Sequence, residues 1–303
     1  MSKQTIDFIG IGAPKSGSTW IGKCLEDHPD ILFSSQKSRK EIFFFTDTHN
    51  WVEQSEQLGR LTYYHRGFDW YLDQFPAYEE GKVRGEFTTA YLADKKAPER
   101  IKKHLPNVKL LVTLRNPVEM IYSLHWYLYN GAFTNLDPDF KVTLEKGLLT
   151  DKGYYAANLK RYFEHFDKNK IKIILFDDIN KDAAQVIKEI YNFLGVDDTF
   201  APNHLNVRVN EAFTTRSKGI KKLVHNSIKL IDKMHMEKLR LKLIESHKLQ
   251  KVYATLNKTP AKYPKITNEI RKLGYEVFKE DIAELEELLG RDLSIWNPNK
   301  NLK

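Results

Sequence analysis

Four short apolar runs, at residues 6–11, 31–33, 108–114 and 171–176, punctuate a chain whose other segments alternate apolar and charged positions with a helical period. The runs are rich in Ile, Leu, Val and Phe and too short for buried helices, so each predicts a buried strand. A fifth stretch, 83–91, reads as a strand followed by a turn. Helices are predicted from residue 18 to about 26, over 97–105, from Pro117 through Tyr127, after Gly153, over 182–194 and from 267 to about 289. His28-Pro29 ends the first, because proline disfavours helix in the residue before it. Gly195 ends another, as glycine commonly does. Strands alternating with helices predict an α/β fold: a mainly parallel sheet with helices on both faces, in three α/β/α layers. Ligands of such sheets sit at the carboxyl ends of the strands. Residues 216–256 and the last helix are helical C-terminal additions. No repeat, linker or low-complexity tract divides the chain, so residues 1–303 are expected to form one domain.

The first strand breaks into Gly12-Ala13-Pro14-Lys15-Ser16-Gly17, and small hydroxyl residues then open a helix. Strand, glycine-containing loop and helix N-terminus together form a phosphate holder: backbone N–H groups and the positive helix end converge on the anion. The nucleoside triphosphatase form of this P-loop reads G-x-x-x-x-G-K-[ST]. Here Ser18 occupies the lysine position and the lysine lies inside the loop, as Lys15. An ordinary strand–turn–helix with a chance lysine is the plain alternative.

The strand at 108–114 ends at Arg115-Asn116-Pro117. A kinase or ATPase strand at this place commonly ends in Asp, to hold magnesium. An arginine instead suits a guanidinium gripping phosphate without a metal. Pro117 fits the first turn of a helix, and Ser123 lies two turns along it, in reach of the same anion.

Lys40-Glu41-Ile42-Phe43-Phe44-Phe45 sets one carboxylate against three aromatic rings. Partial desolvation there would raise the pKa of Glu41 and suit it to general acid or base work; a solvent-facing Glu beside an apolar segment is the alternative. Between residues 50 and 80, Trp51, Tyr63, Tyr64, Trp70, Tyr71 and Phe75 read first as core. Alternatively one or two of them, Trp70 among these, line a cleft for a sugar or other flat acceptor.

Composition narrows the classes. The net charge of +8 favours anionic ligands, but without zinc-finger spacing or RNA-binding aromatic motifs it does not point to nucleic acid. Cys24 is the only cysteine, which excludes a disulfide framework and suits a reducing, cytoplasmic setting. No run approaches the ~20 apolar residues that span a bilayer. The basic 216–256 stretch reads as a solvated helical hairpin, with a membrane-surface face or a groove for a polyanion as sharper alternatives.

Pro-Lys-Ser-Gly-Ser-Thr-Trp at 14–20, and Arg115-Asn116-Pro117 with Ser123 eight residues after the arginine, resemble the two nucleotide motifs of sulfotransferases. These enzymes use 3′-phosphoadenosine 5′-phosphosulfate (PAPS) and release 3′-phosphoadenosine 5′-phosphate (PAP). The resemblance spans most of the chain and is weakest over 200–260. It implies that Lys15, Ser16, Gly17, Ser18 and Thr19 hold the 5′-phosphosulfate, that Trp20 packs on adenine or in the core, and that Arg115 and Ser123 hold the 3′-phosphate. A basic loop before the C-terminal Tyr-Pro would add Lys258 and Lys262, although its usual glycines are missing. The Lys-Glu-Ile-x-Phe-Phe stretch resembles the carbohydrate branch and implies Glu41 as base. Phe43 replaces the His common in 3-O-sulfotransferases; His125 is an alternative base, and Glu86, in Gly-Glu-Phe-Thr, an acceptor-side carboxylate. The implied function is metal-independent sulfuryl transfer to a hydroxyl of a carbohydrate-containing acceptor, with a small-molecule or lipid hydroxyl, or an amine, as the alternative acceptor. A nucleotide-dependent kinase and a non-catalytic nucleotide- or polyanion-binding module are the alternatives.

Overall fold

The computed structural model describes residues 5–46, 63–130, 136–207, 213–234, 243, 252, 255–260 and 263–300. Five strands, β1 (Phe8–Gly12), β2 (Ile31–Phe33), β3 (Val83–Phe87), β4 (Lys109–Leu114) and β5 (Ile171–Leu175), form one sheet in the order β2-β3-β1-β4-β5. All its pairings are parallel. Among the described residues the α-helices are α1 (Ser18–Asp27), α2 (Phe68–Leu72), α3 (Ala97–His104), α4 (Pro117–Tyr129), α5 (Phe140–Glu145), α6 (Tyr155–Phe163), α7 (Phe176–Lys181), α8 (Ala183–Leu194), α9 (Lys218–Lys233) and α10 (Asn268–Leu289).

Successive strand residues point to opposite faces, and both faces here are apolar. On one, Ile9, Ile11, Leu110 and Val112 pack beneath side chains of α3, α4, α6 and α10. On the other, Phe8, Phe87, Leu111 and Ile174 meet α1 and α8. Burial on both sides explains why these strands read as continuous apolar runs. Two glycines allow the central strands their close packing. In register, Phe8 pairs with Gly85 and Gly10 with Phe87. The Phe87 ring lies 2.2 Å from where a Cβ on Gly10 would stand, and the Phe8 ring 2.4 Å from one on Gly85.

Three short features escape the periodicity. The expected strand at 171–176 yields its last residue to α7, and α5 occupies a stretch with no helical prediction. The third is a second, antiparallel sheet that joins β6 (Phe213–Thr215) to β7 (Lys258–Pro260). Residues 257–262, expected as a basic loop, therefore include a strand.

Candidate functional site

β1 is central in the sheet, so its loop leaves the middle of the carboxyl edge. Ala13 N–H donates to the Thr113 carbonyl (2.7 Å), and the Thr113 hydroxyl donates to the Gly12 carbonyl (3.2 Å). β4 thus holds the loop from beneath. Buried Ser16 closes a tight turn on the Pro14 carbonyl. Gly17, the residue before α1, has φ +95° and provides no side-chain cap. A glycine suits that left-handed angle, and its bare backbone leaves the first N–H groups of α1, at Ser18 and Thr19, available to an anion.

Three cations face this helix start. Lys15 spans the Tyr127 ring at 4.5 Å. Burial, with Arg115 and Lys40 nearby, lowers its pKa from 10.5 to about 8, against a smaller raising effect of Glu41. The Lys40 ammonium donates to Ser18 Oγ (3.1 Å) and stands 3.6 Å from Glu41 Oε1, its stem lying against Gly22. Burial lowers its pKa too, opposed by Glu41. The Arg115 guanidinium reaches the Lys15 carbonyl at 3.4 Å. Placing ammonium groups at the positive end of a helix, out of bulk water, is unfavourable unless an anion joins them. The arrangement fits a multiply charged phosphate ester.

Glu41 lies at the mouth of this cluster, accepting from Thr89 Oγ1 (3.2 Å). Burial raises the pKa of Glu86, which was expected on the acceptor side. It is fully buried, with a pKa pushed up to about 7 against the opposing pull of Thr88, Tyr71, Tyr91 and the Ile42 N–H.

Arg115 is held at Nη2 by Glu119 (2.9 Å), whose other oxygen receives Arg271 of α10 (3.0 Å). Burial opposes ionisation of Glu119, but Arg115 and Arg271 outweigh it and hold its pKa below the usual range. Ser123 is half-buried two turns along α4 from Asn116, the α4 N-cap. A cavity of about 280 Å³ is lined by Asn116, Glu119, Arg271 and Trp296, and by none of Lys15, Lys40 or Glu41.

Other candidates lie elsewhere. Trp20 is buried against α8, its indole N–H donating to the carbonyls of His204 and Leu205 (3.1 and 3.2 Å). His125 is sealed among Trp126, Tyr129 and Phe140, pairs with Thr143 at 2.8 Å, and has its pKa lowered to about 4 by burial. Half-buried Trp70 stacks on Tyr63 at 4.7 Å, supporting the ring cluster around Phe44. Lys262 lies outside the described residues, and only the backbone of Lys258 is described.

Sequence reasoning passed over Lys40, Thr89, Glu119 and Arg271 as site residues. It also passed over Tyr155, whose buried hydroxyl faces Ser16 and the Arg115 backbone beneath the loop. The adjacency of Lys40 to Glu41 was the one signal available for any of them.

A phosphate-cradling loop on a parallel sheet, a cation inside the loop and an arginine at the neighbouring strand end define an α/β protein that binds a phosphorylated, nucleotide-like ligand. The comparison with known families narrows this class. The chain belongs to the sulfotransferase family, whose sulfotransferase domain matches residues 5–248. It is 27% identical over 212 residues to the bifunctional heparan sulfate N-deacetylase/N-sulfotransferase 4 of Mus musculus. It is 28% identical over 215 residues to the corresponding enzyme 3 of Homo sapiens. Each match covers 62% of this chain and 22% of the relative, so the chain spans about a fifth of those proteins. A solved sulfotransferase from Alicyclobacillus acidocaldarius shares the fold with a TM-score of 0.63 at 23% identity, over 96% of this chain and 98% of that one. Among the described residues, no helix is long and apolar enough to cross a membrane.

Proposed function

We propose that this chain moves a sulfuryl group from PAPS to a hydroxyl or amine of a carbohydrate-containing acceptor, with Glu41 as the base. The observation that carries this reading is the meeting of Lys15, Lys40 and Glu41 at the N-terminus of α1. PAPS supplies an activated sulfuryl group on a 5′-phosphate leaving group. The residues fit it: N–H groups of Ser16, Gly17, Ser18 and Thr19 for the phosphate, and Lys15 for the charge that grows on the bridging oxygen as its bond to sulfur breaks. Glu41 takes the proton of the attacking group as the new bond to sulfur forms. Such transfer needs positioning and charge stabilisation more than covalent help. Arg115, with Ser123, is assigned to the 3′-phosphate. The heparan sulfate relatives support a glycan acceptor.

Two measurements test this. Calorimetry of PAP, ADP and ATP without magnesium should give a clear preference for PAP that Arg115→Ala abolishes; equal affinity for all three would refute the site. Transfer of ³⁵S from PAPS to N-desulfated and O-desulfated heparin oligosaccharides should fall about 10²–10⁴-fold in Glu41→Gln, with PAP affinity retained. A Glu41→Gln enzyme of normal rate would remove the base assignment and leave the donor site standing.

A further inference from the structure

Residues 40–46, which carry Glu41, belong to no helix or strand. Backbone donors in a buried segment still need partners, and here side chains provide them. Ile42 N–H donates to Thr88 Oγ1 (2.9 Å) and Glu86 Oε2 (3.3 Å), and Phe43 N–H to Thr88 Oγ1 (3.3 Å). Phe44 and Phe45 N–H both donate to the Tyr91 hydroxyl, at 2.9 and 3.4 Å. Those hydroxyls in turn donate to Glu86, Thr88 to Oε2 and Tyr91 to Oε1, where Tyr71 of α2 adds a third O–H at 3.0 Å. Four consecutive N–H groups therefore end, directly or through one hydroxyl, on a single buried carboxylate.

The direction of these bonds matters. A hydroxyl has one proton. With Glu86 ionised, Thr88 and Tyr91 both spend that proton on the carboxylate and turn their lone pairs toward the 42–45 backbone. An amide at position 86 offers donors of its own and lets the hydroxyls turn round, against the N–H groups they now receive. Phe43 is held at φ +57°, a left-handed angle unusual for an aromatic residue, which the four bonds fix. Thr89, next to Thr88, then takes the Glu41 carboxylate itself.

We propose that Glu86 is a positioning residue for Glu41: its charge sets the proton direction of Thr88 and Tyr91, and through them the backbone that aims Glu41 at the acceptor. This rests on the reading of Glu41 as base. Burial of Glu86 costs free energy that three hydroxyl donors only partly offset, consistent with its pKa near 7. A residue kept for packing alone would gain nothing from that charge.

The test compares Glu86→Gln, Tyr91→Phe and Glu41→Gln, alone and with Glu86→Gln and Glu41→Gln combined, at pH 8 in the ³⁵S assay, with PAP calorimetry and amide exchange of residues 42–45. Glu86→Gln and Tyr91→Phe should each lower kcat at least tenfold, leave PAP affinity and the KM for PAPS within twofold, and speed exchange at 42–45. In the Glu41→Gln background, Glu86→Gln should add less than a twofold loss, since the group being aimed is already gone. Unchanged kcat in folded Glu86→Gln overturns the proposal, as does a loss that multiplies in the double variant. Should Glu86→Gln not fold, Tyr91→Phe with normal kcat overturns it as well. A fully active Glu41→Gln would instead overturn the base assignment, so the two failures are distinguishable.

Discussion

Replacing Lys15 with Met should make the ligand-free protein more stable while abolishing transfer. Lys15 sits half-buried with Arg115 and Lys40 beside it, and its pKa falls from 10.5 to about 8. That drop corresponds to roughly 3 kcal/mol of cost for keeping the ammonium charged, which partial exposure reduces to about 2 kcal/mol. The cation–π contact with Tyr127 returns about 0.5–1 kcal/mol, and methionine keeps most of the aliphatic stem. The net expectation is a gain of about 1 kcal/mol at pH 7, a rise in Tm of roughly 1.5 °C for a chain of this length. The sign with pH follows from the folded pKa lying below the unfolded one. The cost is complete below about pH 8 and fades as pH rises toward 10.5, so the advantage of Lys15→Met should fade over the same window. Thermal unfolding of both proteins between pH 7 and 10, without nucleotide, reads this directly. A variant less stable than wild type at pH 7, or an advantage independent of pH, would refute the electrostatic reasoning. Saturating PAP should reverse the order, because bound phosphate turns the same charge from a cost into a contact.

Further expectations concern the scaffold. Gly10→Ala drives a Cβ into the Phe87 ring and should lower stability by about 3 kcal/mol; adding Phe87→Leu should recover part of that in denaturant unfolding. Asp281 of α10 accepts the N–H groups of Ala156 and Ala157 (both 3.1 Å), capping α6 from another helix where Tyr154, the N-cap, provides no side-chain bond. Asp281→Ala should cost about 1–2 kcal/mol by the same measurement and leave PAP affinity within twofold.

Much of the fold was legible because both sheet faces are buried: strands with no wet side read as short apolar runs, too short to be buried helices. The Lys15 loop and the Arg115 strand end were legible for a related reason, since each follows its strand directly and needs no distant partner to be placed. The acceptor side was not. Burial raises the pKa of Glu86, and sequence distance separates that residue from the 42–45 backbone it bonds. Trp20 and His125 could not be assigned from sequence because an aromatic ring looks the same there whether it faces a ligand or the core. β6 and β7 are three-residue strands whose pairing depends on a partner more than forty residues away, beyond the reach of any local period.

The position of β1 has a consequence for biogenesis. It precedes every other described strand in the chain, yet it lies between β3 and β4, and its loop hangs from Thr113. A ribosome adding roughly 5–20 residues per second needs about 5–20 s after making Lys15 to reach Arg115. Until β3 (Val83–Phe87) is made, β1 has no sheet neighbour, and until β4 (Lys109–Leu114) follows, the edge that holds its loop stays open. The protein therefore cannot assemble its anion cradle progressively from the front. The central strand waits, and the loop takes shape only when a segment about a hundred residues younger docks beside it.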